Sequence, residues 1–286
     1  MILHYICRLR EIMLHIPIIS VVVCIQLVTS QIPSNSEYCE EHGSSHTMCT
    51  PAPGSACGDE YEQYVFSASE IDQILEYHNN IRNITAGGLE TKTKEPLPPA
   101  CSMCELQWHE EAAAIAQRHT DHCVYGHDCG SCRDLIDESE HSYCGQNAAL
   151  YPFISKPSTP PMQIFLTLID LWYSTEVHLF GPDDIYPFVF NPAYGHYSQL
   201  IWSKTCYIGC GASIYYDGKH YNYFVACNYC HGGNYGGQAV YDVHCRNSPS
   251  YSNLCHGSTP KCCSLCPNDL GEMRICPIGW SSEIFN

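Results

Sequence analysis

Twenty-one cysteines in 286 residues constrain this chain more than any other feature. In a reducing compartment such a set would mean metal clusters or redox chemistry; in an oxidising one it means disulfides. The first thirty residues decide between the two. Arg8 and Arg10 give a basic start, Ile12 to Leu27 an apolar run, and Val28-Thr29-Ser30 small residues for cleavage. The run is broken by His15, Pro17, Ser20 and Gln26, too short and interrupted for a bilayer span, and nothing later resembles one. Residues 1–30 are therefore expected to be a signal peptide, and the remainder a secreted, extracellular protein with no membrane span.

Cys7 and Cys24 lie in that leader. The remaining cysteines are odd in number, so one is left free or bridged to a second chain, which leaves a disulfide-linked dimer open. Four CxxC pairs occur: Cys101/Cys104, Cys129/Cys132, Cys227/Cys230 and Cys263/Cys266. In an exported chain their plain reading is disulfide bonding. Asn83-Ile84-Thr85 is a glycosylation sequon.

Charge narrows the partners. The formal net charge is −17, and loss of Arg8, Arg10 and Glu11 with the leader takes it to about −18. A chain this acidic, with no basic run, repels nucleic acid and anionic membranes. Sixteen histidines would offset part of that charge in an acidic compartment.

Local patterns predict the elements. Residues 31–66 read as an irregular, cysteine-containing extension. Ser67-Ala68-Ser69-Glu70 fits a capping box, followed by Ile71, Ile74, Leu75, His78 and Ile81 on one helical face. A second helix is expected from Leu106 to His122, with alanines that let another element pack closely. A third is expected from Met162 to about Val177, with Ile164, Leu168, Leu171 and Trp172 facing the core. Ile208 to Tyr216 and Tyr221 to Tyr229 read as a hairpin about Asp217-Gly218. A loop at 217–220 would set Cys210 opposite Cys227, where a cross-strand disulfide is reasonable. Residues 241–286 form a cysteine-rich tail too small to fold without staples. Helices around a hairpin suggest an α+β layered domain over 67–240.

Two stretches carry a specific resemblance. Gly195-His196-Tyr197-Ser198-Gln199-Leu200-Ile201-Trp202-Ser203-Lys204-Thr205 and Phe224-Val225-Ala226-Cys227-Asn228-Tyr229-Cys230-His231-Gly232-Gly233-Asn234-Tyr235 resemble the signature motifs of the CAP superfamily (cysteine-rich secretory proteins, antigen 5, pathogenesis-related proteins). His78-Asn79-Asn80-Ile81-Arg82 and Leu106-Gln107-Trp108 are similar to its first two helices. His46-Thr47-Met48-Cys49, Gly126-His127-Asp128, Cys132-Arg133-Asp134 and Gly145-Gln146-Asn147 are similar to the venom allergen antigen 5 branch.

The resemblance covers residues 38 to about 244 and implies an α–β–α sandwich. It implies the disulfides Cys39–Cys49, Cys57–Cys123 and Cys210–Cys227, and leaves Cys104, Cys129 and Cys230 outside the pattern. It also implies a ligand-binding cleft of two histidines and two acids. The histidines map to His127 and His196, a candidate zinc pair. The first acid position holds Gln146, an amide that cannot act as an acid or base. The second maps to Glu176, one residue further from Trp172 than is usual. On a continuous helix one residue is a turn of about 100°, which would offer Thr175 in its place.

No catalytic residue is assigned, because neither His-Glu-x-x-His nor Gly-x-Ser-x-Gly occurs. The leading expectation is an extracellular binding protein for a small lipid (a sterol or fatty acid) or for a host or prey protein. The alternative is a secreted effector that binds a receptor through its surface or tail. A metal-dependent hydrolase ranks behind both, and zinc is a candidate cofactor, not a required one. Asn228, Tyr229, Gly233 and Asn234 are expected to fix a turn after the last strand.

Overall fold

The computed structural model describes residues 32–136 and 143–243. The expected leader and most of the tail lie outside the described residues. Ten elements follow in order: α1 (Asn35–Glu41), β1 (Tyr61–Tyr64), α2 (Ala68–Ala86), β2 (Gln107–Trp108), α3 (Glu110–Thr120), β3 (Cys144–Phe153), α4 (Pro161–Ser174), α5 (Gly195–Leu200), β4 (Tyr207–Tyr216) and β5 (Tyr221–Cys230). The five strands make one sheet in the order β1-β4-β5-β3. β2 joins the same edge of β4 as β1, at its other end, and is the parallel member.

The β4–β5 hairpin is the centre of the sheet, and its alternation builds the layers. Ile208, Cys210, Ala212 and Ile214 of β4, with Val225, Cys227 and Tyr229 of β5, share a core with Ile74 and Ile81 of α2, Phe165, Leu168 and Trp172 of α4, and Leu200 of α5. The intervening residues face α3. Period-two alternation along two fully covered strands thus gives an α–β–α sandwich.

The approach of α3 is made possible by absent side chains. A Cβ on Gly209 would lie 2.1 Å from the Ala113 nitrogen, and one on Gly211 2.2 Å from the Gln117 Cα. Ala112, Ala113 and Ala116 complete the close packing, as the alanine-rich face suggested. Gly211→Ala is expected to cost about 2 kcal/mol by overpacking. Urea unfolding measures it, and an unchanged midpoint would remove the steric reading.

The elements differ from the sequence reading in the second helix, in the third helix and in the extension. The second helix starts at Glu110, not Leu106, because Gln107 and Trp108 pair with Tyr207 and Ile208 and His109 caps the helix. The third ends at Ser174 rather than near Val177, and within it Leu171 is 40% exposed, on the outward side of α4 rather than in the core. The extension before residue 67 is not all irregular, since it supplies α1 and the edge strand β1. The capping box at Ser67 forms, with the Glu70 carboxylate accepting from the Ser67 N–H at 2.7 Å.

All thirteen cysteines from Cys39 to Cys230 are disulfide-bonded. Cys39–Cys49, Cys57–Cys123 and Cys210–Cys227 are present, and so are Cys104–Cys206, Cys129–Cys132 and Cys144–Cys230. Of the CxxC pairs at 101, 129 and 227, only Cys129/Cys132 closes on itself. Cys227 and Cys230 are three apart on β5, so they point to opposite faces and pair with different strands: Cys227 lies opposite Cys210 on β4, and Cys230 opposite Cys144 on β3. Asn83, the sequon asparagine, sits half-buried near the end of α2.

Candidate functional site

Two imidazoles are held by two separate relays that meet at neighbouring residues of β3. The first begins at α3. Asn228 on β5 donates Nδ2–H to the Ala112 carbonyl at 3.2 Å, and its Oδ1 accepts from Gln146 Nε2 at 3.1 Å. Gln146 then presents Oε1 to His127 Nδ1 at 2.9 Å. A backbone carbonyl only accepts, so the network assigns both amide orientations in turn. His127 therefore carries a proton on Nδ1, and its Nε2 is left outside the relay. His127 is exposed and Gln146 half-buried.

The second relay runs through Glu176. Its Oε1 accepts from His196 Nδ1 at 2.6 Å, and its Oε2 accepts the backbone N–H groups of His196 and Tyr197, both at 2.9 Å. A carboxylate is well placed on the free amides of a helix's first turn. Trp172 stacks on the His196 ring at 6.2 Å. The His196 side chain remains 33% exposed, so its Nε2 lone pair is open to the surface.

Glu176 thus reaches His196, and Thr175 does not replace it. Thr175 is exposed and donates its hydroxyl to the Leu171 carbonyl. The extra residue after Trp172 has no rotational effect because α4 has already ended at Ser174. Helical counting does not extend past a cap.

Behind His196 lies a support that sequence reasoning missed. Asn147 donates Nδ2–H to the His196 carbonyl at 3.2 Å and to the Tyr229 hydroxyl oxygen at 3.3 Å. The Tyr229 hydroxyl faces His78 Nε2 at 2.9 Å, and His78 Nδ1 faces the Ile74 carbonyl at 2.7 Å. The signal available was the period-two placement of Asn147 and Tyr229 on strands with an inward face. Asn228 and Tyr229 lie within β5, not in a turn after it. Gly233 and Asn234 do follow the strand, and they clasp α5: Gly233 N–H donates to Gln199 Oε1 and Asn234 Nδ2–H to the Gly195 carbonyl. The two sequence signatures are thus two halves of one contact.

The donor set fits zinc only in part. His127 and His196 each offer Nε2, oriented by an acceptor on Nδ1 as metal-ligating histidines are. Both Glu176 oxygens are committed, and Gln146 is neutral. Among the described residues, no three His, Cys, Asp or Glu side chains are grouped to hold a metal ion, whereas zinc sites use three or four protein ligands.

Comparison with known proteins agrees with this architecture. Residues 75–229 match the model of the cysteine-rich secretory protein family, CAP. The chain is 35% identical over 225 residues to a cysteine-rich venom protein of Tityus serrulatus, covering 76% of this chain and 52% of that protein. It is 36% identical over 209 residues to venom allergen 5 of Brachyponera chinensis, covering 70% of this chain and 99% of that one. The crystal structure of Na-ASP-1 superposes with a TM-score of 0.52 at 26% identity, over 70% of this chain and 48% of that one. With its sandwich, its clasped signatures and these relatives, the chain belongs to the CAP family of cysteine-rich secretory proteins and is similar to its venom allergen 5 members.

Proposed function

We propose that this chain is an extracellular binding protein, not an enzyme, and that its ligand is a small hydroxylated lipid of the sterol class. The family and a fold held by disulfides support an extracellular, oxidising setting. One observation carries the binding reading: both oxygens of Glu176 are occupied by three hydrogen bonds. The other expected acid position is an amide. General-base chemistry needs a basic atom within reach of a substrate proton; neither of these two side chains supplies one, and we assign the two imidazoles to hydrogen bonding with a ligand.

The relays also choose the ligand's chemistry. In the neutral rings, with Nδ1–H given to Gln146 and Glu176, Nε2 of His127 and of His196 is an acceptor. A hydroxyl can donate to such an atom, whereas a fatty-acid carboxylate brings no proton. Zinc is expected to bind weakly at the same nitrogens, since two imidazoles fall short of its usual set.

A second reading, a protein partner, is favoured by the loop before α5. There Tyr186 is 66% and Val189 72% exposed, and Phe190 touches Gly195 beside His196. Native mass spectrometry of the protein from a secretory host, with cholesterol, palmitate or zinc added separately, tests the proposal. A cholesterol adduct that is lost in His196→Ala is expected. A chain that takes up no cholesterol overturns the lipid reading, and palmitate uptake in its place overturns the hydroxyl argument.

A further inference from the structure

We propose that Cys129–Cys132 is a thiol–disulfide exchange site for low-molecular-weight thiols, open to reduction while the other described disulfides stay closed. The inference is independent of the lipid reading.

Access is the first observation. Cys129 is the one exposed cysteine among the described residues. Its partner Cys132 is buried, with its sulfur 2.9 Å from the Ser45 carbonyl. Of the other described pairs, Cys57–Cys123, Cys104–Cys206, Cys144–Cys230 and Cys210–Cys227 are buried at both sulfurs' residues, and Cys39–Cys49 is half-buried. Exchange requires an attacking thiolate to reach a sulfur. Among the described residues Cys129 is the exposed one, so attack is directed to it and the leaving thiolate is that of Cys132.

Ring size is the second observation. Cys129 and Cys132 are three residues apart, whereas the others span 10, 66, 102, 86 and 17. A cross-link constrains the unfolded chain less as its loop shortens. By linkage, the fold protects a disulfide by as much as that disulfide stabilises the fold. The shortest ring therefore has the least protection.

The surroundings let the bond open without unfolding. The turn Gly130–Arg133 is closed a second time by Arg133, whose Nε meets Asp128 Oδ1 at 2.7 Å and whose Nη2 donates to the Asp128 carbonyl. Asp128 is anchored in turn by the Thr47 hydroxyl at 2.6 Å. This ion pair is buried on both sides and persists when the sulfurs part. His127 directly precedes it, so the exchange site borders the cleft.

The chemistry balances with a thiol as the named reductant. A thiolate such as that of glutathione attacks Cys129 Sγ, forms a mixed disulfide there and expels the Cys132 thiolate, which takes up a proton. A second thiolate then attacks the mixed disulfide's outer sulfur. It releases oxidised glutathione and leaves Cys129 reduced, so two electrons pass from two thiols to one disulfide.

The test is graded reduction of the native protein with glutathione, followed by alkylation and peptide mass spectrometry. Cys129 and Cys132 are expected to be labelled at least tenfold faster than the five other described pairs. The glutathione adduct is expected on Cys129 and not on Cys132. Cys132→Ser given oxidised glutathione is expected to take up one glutathione on Cys129, whose thiolate attacks that disulfide and releases reduced glutathione. Equal labelling of all six pairs, first opening of another of them, or an adduct on Cys132 would each overturn the assignment.

Discussion

Arg82→Met is expected to lose about 4 kcal/mol of folding stability, with most of the loss due to stranded carbonyls rather than to the missing charge. Arg82 is fully buried on α2. Its Nε and Nη2 donate to the Cys104 carbonyl at 2.9 and 2.7 Å. Nη1 donates to Leu200 at 2.8 Å and Trp202 at 3.0 Å, and Nη2 to Thr205 at 2.9 Å. Cys104 lies just before β2, Leu200 ends α5, and Trp202 and Thr205 lie in the link from α5 to β4. A buried carbonyl deprived of its donor costs about 1–3 kcal/mol, and methionine fills the space without replacing any bond. Arg82→Lys is the informative partner. One ammonium has three protons and no planar fork, so it is expected to recover about half the loss. Urea unfolding of the three proteins measures this. Equal stability of the parent and Arg82→Met would show that water satisfies these carbonyls.

Arg82 also marks where the sequence stopped being legible. Its neighbours were readable because their signals are local: a capping box at Ser67, helical spacing from Ile71 to Ile81, a turn at Asp217-Gly218, alternation on either side. Arg82 stands inside that same helix, but its partners are backbone carbonyls, Cys104 beyond the next loop and Leu200, Trp202 and Thr205 more than a hundred residues away, and a carbonyl has no letter in a sequence. An arginine is also exposed far more often than buried, so composition pointed the other way. Disulfides divide along the same line. Cys210–Cys227 follows from hairpin register, which two strands and a turn define. Cys144–Cys230 and Cys104–Cys206 depend on which strand lies beside β5 and on what β2 joins, and neither is fixed by spacing.

The cleft shows the limit from the other side. His127, Gln146, Glu176 and His196 were identified by their motifs, and the fold joins them as two pairs. What spacing could not give was the hydrogen-bond polarity of the Asn228–Gln146–His127 relay, since that begins at a carbonyl of α3. Nor could it show that α4 stops before Thr175. A rotation per residue is meaningful only while the helix lasts.

Acidification from pH 7 to pH 4 is expected to remove about 3 kcal/mol of stability through His78 alone. His78 is fully buried, and burial pushes its pKa from 6.5 down to about 4. Both ring nitrogens are engaged, Nδ1–H with the Ile74 carbonyl and Nε2 as acceptor for the Tyr229 O–H. The folded state has no place for a second proton, whereas the unfolded chain accepts it near pH 6.5. Between those values the unfolded state binds more protons. Stability is therefore complete above about pH 6.5 and declines by up to ~1.4 kcal/mol per unit until about pH 4. His46, His119 and His122 are also held low by burial and act with the same sign, so the total slope exceeds that of one histidine. His78→Gln isolates its share, because glutamine does not titrate. Urea unfolding at intervals from pH 7 to pH 4 should give the variant a shallower decline than the parent, whatever its offset at pH 7. Parallel declines would remove His78 from the account. Protonation of His78 in the folded chain, near pH 4, has a separate effect at the cleft. Protonated Nε2 can no longer accept from Tyr229, whose hydroxyl must then turn, and that hydroxyl is one of the two groups holding Asn147 against the His196 carbonyl. In the folded chain this rearrangement belongs to the region of pH 4 and below, where His78 itself takes up the proton.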